Sequence, residues 1–236
     1  MNRTLFWGAE LSRNKLKAVI YSGGRLKANH RLHQALSDLV GEKRRKSFTY
    51  IPFMSEESEY YYRRSIRRYR PFGFTDFHCL RVDQPQISES DVKRAINSDV
   101  IYLAGGNTFY FLMHLQRSGM LPLLRKYALA GGVLAGLSAG GILMTPHIGL
   151  AGYPRFDCDE NDVGLTQLGS LGLVNFEFFP HYRSYARLNG ALKRYSQTSQ
   201  APIIACEDGG GLVINGDQKT FVGKSCLFIN GQRHQI

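Results

Sequence analysis

Short apolar runs alternate with longer amphipathic stretches as far as Ser138, and this alternation constrains the fold more than any other feature of the chain. The runs at 17–21, 48–53, 75–82, 99–104 and 132–137 read as strands. The stretches at 29–40, 88–97, 108–118 and 121–130 carry helical spacing. In the first of them Leu32, Leu36, Leu39 and Val40 share one face. Strands that are apolar throughout must be covered on both faces. The repeated strand–helix unit therefore predicts an α/β fold with a mostly parallel sheet between two helical layers. Beyond Ser138 the pattern loosens. Residues 153–172 read as loop, 173–179 as a strand, 183–197 as a helix and 202–206 as a strand. The tail reads as small antiparallel strands at 211–214, 219–223 and 226–230, with Asn-Gly turn signals at 215–216 and 230–231. No repeat, low-complexity tract or linker divides the sequence, so one domain over 1–236 is expected.

Composition removes several classes. Of 236 residues, 43% are hydrophobic, enough for a full core, which excludes disorder as the main description. No apolar run approaches the roughly 20 residues of a membrane helix, and the segment 1–15 lacks the apolar stretch of a signal peptide. Cys79, Cys158, Cys206 and Cys226 lie far apart with no CxxC pair, against a disulfide scaffold or a zinc cluster. A cytoplasmic location is expected. The net charge is +11, concentrated in the first hundred residues. Its strongest cluster runs from Ser55 to Pro71. Glu56, Glu57 and Glu59 open it, and Arg63, Arg64, Arg67, Arg68 and Arg70 close it. That order suits a helix macrodipole, with Ser55 as N-cap, Pro71 as stop and Glu59 one turn before Arg63. It reads as a solvated amphipathic helix. No nucleic-acid-binding motif accompanies it.

The most specific local pattern is GLSAG at 136–140, directly after an apolar strand and before a helix-like run. That is the context of a nucleophile elbow. Gly136 and Gly140 leave room for a sharp strand-to-helix turn, and Ser138 is placed at the carboxyl end of the sheet, where open α/β sheets bind ligands. A second glycine site, AGGNT at 104–108, also ends a strand and opens a helix; its N–H groups suit an oxyanion. A serine nucleophile needs a base, usually a histidine held by a carboxylate. His30, His33 and His114 fall in predicted helices and His78 in a strand, while His147 lies nine residues after Ser138. His181 stands out: it follows an apolar run and Pro180, at a strand end expected on the same sheet edge as Ser138. For the carboxylate, Glu207 follows another strand. Asp208 and the loop group Asp157, Asp159, Glu160 and Asp162 are rivals.

At these residues the sequence resembles the S51 serine peptidases, the family of aspartyl dipeptidase (peptidase E) and cyanophycinase. The blocks, in order, are IYLAGGNTF at 101–109, GLSAG at 136–140, FPHY at 179–182 and ACEDG at 205–209. The resemblance implies a three-layer α/β/α sandwich, flavodoxin-like and related to class I glutamine amidotransferases, with serine at the elbow. It implies Ser138 as nucleophile, His181 as general base and Glu207 as third member. The N–H groups of Gly106 and Ala139 would form the oxyanion hole. The aspartate that follows the serine in aspartyl dipeptidases is absent from the AGYP stretch at 151–154, or displaced to Asp157 or later. Arg183 and Arg187 are the candidates for holding an acidic P1 side chain.

The expected activity is therefore a serine peptidase acting on dipeptides or small peptides, with an acidic P1 residue as one option, through an acyl-enzyme. Neither cofactor nor metal is expected. The expected partner is a small peptide, with no membrane and no nucleic acid, and the assembly is a monomer or homodimer. Two other readings compete. One is a catalytically inactive binding module of the same fold. The other is an α/β-hydrolase-type esterase using Ser138, Asp208 and His234.

Overall fold

The computed structural model describes residues 15–24, 27–56 and 58–236, so Glu57 and nearly all of segment 1–15 lie outside the described residues. The main sheet has seven strands in the order β3-β2-β4-β5-β1-β8-β9. Five are parallel: β1 (Lys17–Tyr21), β2 (Lys46–Ile51), β3 (Phe74–Cys79), β4 (Val100–Leu103) and β5 (Val133–Leu137). Two run antiparallel at one edge, β8 (Gly211–Asn215) and β9 (Gln218–Val222).

Period-2 alternation divides the core across this sheet. Ala18, Ile20, Ile101, Leu103 and Leu134 face one way, against α3 (Glu89–Ile96), α4 (Thr108–Arg117) and α5 (Met120–Leu129). Val19, Tyr21, Val100, Tyr102 and Ala135 face the other, against α1 (His30–Val40) and α2 (Ser58–Tyr69). The result is the expected three-layer α/β/α arrangement. Ser88 caps α3, its hydroxyl accepting from the Asp91 N–H at 3.1 Å. Ser55 does not cap α2. Its N–H and hydroxyl both donate to the Asp83 carboxylate at 2.6 Å, and the helix starts at Ser58. Glu59 and Arg63 form the expected i,i+4 pair at 2.7 Å.

The second half departs from expectation in two places. The run 173–179 contributes only three residues of strand, β6 (Glu177–Phe179). Leu173 and Val174 donate to the Met144 carbonyl instead, so their burial is that of a packed loop. More importantly, β6 lies in a second sheet of four strands, β11-β10-β7-β6. There it pairs parallel with β7 (Ile203–Cys206), which pairs antiparallel with β10 (Ser225–Ile229) and through it reaches β11 (Gln232–Gln235). The tail is thus shared between two sheets. The small sheet has its own core with α7 (Ala186–Thr198), where Leu188 and Leu192 meet Ile203, Ala205 and Phe228. Among the described residues, no helix is long and apolar enough to cross a membrane.

One buried group gives the fold an acid sensitivity. His33 of α1 packs against Tyr21, Tyr69 and Phe72. Burial, then the Arg68 and His30 charges, pull its pKa down to about 3. The unfolded chain takes up this proton near the usual histidine value while the folded chain refuses it. Stability should therefore fall as pH drops from roughly 6.5 towards 3, by at most about 1.4 kcal/mol per pH unit. Urea unfolding at pH 7 and pH 4.5 tests this. His33→Gln should flatten the difference, and an unchanged pH slope in that variant would refute the assignment.

Candidate active site

Three strand ends of the main sheet converge on one point. Ser138 follows β5 and immediately precedes the single-turn helix α6 (Ala139–Ile142). Its N–H donates to the Tyr21 carbonyl at the end of β1 at 2.9 Å, and the Gly140 N–H donates to the Ala104 carbonyl beyond β4 at 3.1 Å. The crowding explains the motif glycines. A Cβ on Gly136 would lie 2.3 Å from the Gly140 carbonyl oxygen, and one on Gly140 would lie 2.3 Å from that of Leu103. Ser138 is held at φ 50° and ψ −110°, a conformation an L-residue adopts only when its surroundings enforce it.

His181 arrives from the small sheet, just after β6, and is likewise held at a left-handed φ of 55°. Its Nε2 lies 2.9 Å from Ser138 Oγ and its Nδ1 lies 2.7 Å from Asp208 Oδ1. A carboxylate accepts only, so Nδ1 carries the proton and Nε2 is free to accept from the serine hydroxyl. The array is open to solvent on one side, with the His181 and Asp208 side chains about half exposed.

The carboxylate beside His181 is Asp208 and not Glu207. The N–H of Glu207 continues the β7–β10 pairing by donating to the Lys224 carbonyl, and its own carbonyl closes the turn to the Gly210 N–H. The chain then turns back at Gly209, whose N–H donates to the Gly23 carbonyl at 2.8 Å, and this brings Asp208 to the imidazole. The loop acids are placed otherwise. Asp159 braces the start of α4, whose N-cap is Asn107, accepting from the Thr108 N–H at 2.8 Å and its hydroxyl at 2.5 Å. Asp157 lines a small cavity beside Ser138 and His181, while Glu160 and Asp162 are exposed. Arg183 is exposed, and Arg187 lies over the Phe156 ring at 3.9 Å; neither lines that cavity. His147 sits near the buried Glu177, and His234 lies exposed in the edge strand β11. Ser138 is therefore not served by the histidine that an esterase arrangement would need. Gly105 backs onto Ser138: a Cβ on it would stand 3.6 Å from the serine Cβ. Gly106 follows Gly105 and faces Phe53, whose ring a Cβ on it would strike at 2.1 Å, while Ala139 directly follows Ser138 at the start of α6.

Sequence reasoning missed the bracket beneath the histidine, formed by Ser22 and Gly23 after β1. The buried Ser22 hydroxyl donates to the Cys206 carbonyl and accepts from the His181 N–H, both at 2.7 Å. It ties the ends of β1, β6 and β7 together. Gly23 lies directly under the pair: a Cβ there would stand 2.3 Å from His181 Cε1 and 2.4 Å from Asp208 Oδ1. The signal was three small residues directly after an apolar strand, the position that the paired glycines 105–106 hold after β4. Gly23→Ala should displace His181 from Ser138 and lower kcat/KM by about 100-fold or more, as misplacement by an ångström does. The melting temperature should move by only a few degrees, and wild-type turnover in this variant would show that the bracket does not position the histidine.

Among the described residues no group of three or more His, Cys, Asp or Glu side chains is arranged to hold a metal ion. Partial desolvation, reinforced by Asp159, Glu160 and Asp157, raises the pKa of the Cys158 thiol.

Comparison with known proteins gives a consistent answer. The chain is 30% identical over 192 residues to an uncharacterized peptidase of Pasteurella multocida, covering 79% of this chain and 89% of that one. It is 29% identical over 152 residues to peptidase E of Shewanella amazonensis, covering 60% and 62% of the two chains. Its fold matches the crystal structure of a peptidase from an acI-B1 Actinobacterium with a TM-score of 0.69 at 18% identity, over 93% of each chain. The family model described as peptidase family S51 matches residues 18–222, most of the described fold and every element that carries the site. The chain therefore belongs to peptidase family S51, a family of serine-type peptidases.

Proposed function

We propose that this protein hydrolyses dipeptides or other small peptides, with Ser138 as nucleophile, His181 as general base and then acid, and Asp208 as the carboxylate that orients it. The observation that carries the reading is the continuous array Ser138 Oγ, Nε2, Nδ1, Asp208 Oδ1, with both the serine and the histidine in strained left-handed backbone. Strain at two neighbouring positions is maintained where a function needs the geometry.

In this scheme Ser138 Oγ attacks the peptide carbonyl carbon while Nε2 takes the hydroxyl proton. The negative oxygen accepts from the N–H groups of Gly106 and Ala139. Nε2 returns the proton to the leaving amine as the C–N bond breaks, leaving an ester on Ser138. Water then attacks that ester with the same base, and the acid product departs. Asp208 holds the Nδ1 proton and stabilises the imidazolium without itself being protonated. No step calls for a cofactor.

We also propose that residues 1–236 work as a single domain. The Ser22 bracket supports this, because the proposed nucleophile and base come from different sheets and one buried serine joins them. An active-site-directed phosphonate tests the reading. Intact wild type should gain one adduct, located by peptide mass at Ser138, and Ser138→Ala should gain none. Folded wild-type protein that takes no adduct would favour the alternative of a binding module that has lost catalysis.

A further inference from the structure

Two cavities lie at the carboxyl end of β5, one lined by Ser138 and the other by its neighbour Leu137, and their linings differ. The smaller, about 170 Å³, has Ser138 and His181 in its own wall together with Asp157 and Asp159. The larger, about 500 Å³, is lined by the glycine pair 105–106 and by Leu137, the residue before Ser138, while neither Ser138 nor His181 lines it. Tyr50, Phe53, Met54, Tyr61 and Leu137 make its surface apolar and aromatic, and the charged group lining it is the exposed Glu56.

Chemistry assigns the sides. In any acyl transfer at Ser138 the departing nitrogen must come within reach of Nε2 to take its proton, so the leaving residue occupies the side that His181 lines. The carbonyl oxygen points to the N–H groups of the glycine pair and the elbow. The side chain of the acyl residue is left with the cavity beyond the glycines. We infer that this larger cavity is the acyl-residue subsite and that it takes a large uncharged side chain, aromatic or long aliphatic, rather than a carboxylate.

Four observations support the choice. The volume falls in the range of sites that enclose a whole ligand group, far more than an aspartyl side chain fills. Its walls offer a carboxylate no cation: among the described residues no Lys or Arg lines either cavity, although the protein as a whole carries a charge of +11. Glu56 at the larger and Asp157 and Asp159 at the smaller would repel an acidic residue, which is a specificity device in its own right. Arg187, the candidate for an acidic P1 pocket, is engaged over Phe156 instead.

This inference rests on the serine peptidase reading, and the experiment separates the two. Full-length wild type is assayed with Phe–Ala, Leu–Ala, Met–Ala and Asp–Ala, alongside phosphonate labelling of the same preparation. The apolar peptides should be cleaved with kcat/KM at least ten-fold above Asp–Ala. Tyr61→Arg, at a half-exposed position that tolerates exchange, should raise the Asp–Ala to Phe–Ala ratio at least ten-fold. Met54→Trp, which fills the cavity, should raise KM for Phe–Ala while Ser138 still takes the phosphonate adduct. Preferred cleavage of Asp–Ala by wild type would overturn the inference and leave the peptidase reading intact. So would a labelled enzyme that cleaves none of the apolar peptides, or selectivity unmoved by both variants. Absence of labelling in folded protein would overturn both.

Discussion

Ser138→Ala is expected to lower kcat/KM for a small peptide by roughly 10⁶-fold, the scale on which losing the nucleophile of a coupled array acts. The substitution removes only the Oγ that stands 2.9 Å from His181 Nε2. The backbone bonds of the elbow, from the N–H of Ser138 to Tyr21 and from that of Gly140 to Ala104, do not involve the side chain. The variant should accordingly fold and melt like wild type. Its residual rate should still exceed the uncatalysed one, because the N–H groups of Gly106 and Ala139, the proposed oxyanion donors, remain. Peptide hydrolysis with chelator present, paired with a melting curve, is the measurement. A variant that keeps a tenth of wild-type activity would remove Ser138 from the chemistry.

Asp208→Asn should cost about 10⁴-fold in kcat, since an amide at this position no longer selects the Nδ1–H tautomer or stabilises the imidazolium. Glu207→Gln should stay within about two-fold, because its neighbour and not it touches the ring. The pair of variants differs by one position in the chain and by about four orders of magnitude in expected effect. Reversal of that order would show that the turn after β7 presents Glu207 in the working enzyme. Because the amide keeps the shape of the carboxylate, the melting temperature of Asp208→Asn should change little, which separates loss of chemistry from loss of fold.

The contrast between those two residues shows how far the sequence could be read. Ser138 was legible because the cause is local: glycines at 136 and 140 leave space that any side chain would fill, and only a sharp turn needs that space. His181 was legible because it ends an apolar run. Choosing between Glu207 and Asp208 depends on where a turn reverses, and that is decided by the bond from Gly209 to Gly23, residues 186 positions apart. The partition of the tail was illegible for a similar reason. Strands β8 and β10 have comparable apolar patterns, yet one pairs with β1 and the other with β7. Pattern gives the face that a strand buries and is silent on its neighbour. The strand β11 had no apolar signal at all, being exposed throughout.

The seam between the two sheets gives the enzyme an interlock. The large sheet alone carries a serine without a base, and the small sheet alone carries a histidine without a target. Where Ser22 joins the Cys206 carbonyl to the His181 N–H, and Gly209 bonds the Gly23 carbonyl, the two halves meet within hydrogen-bonding distance. On the proposed chemistry, a copy whose two sheets have not met would hold Ser138 without its base and would not cut peptides.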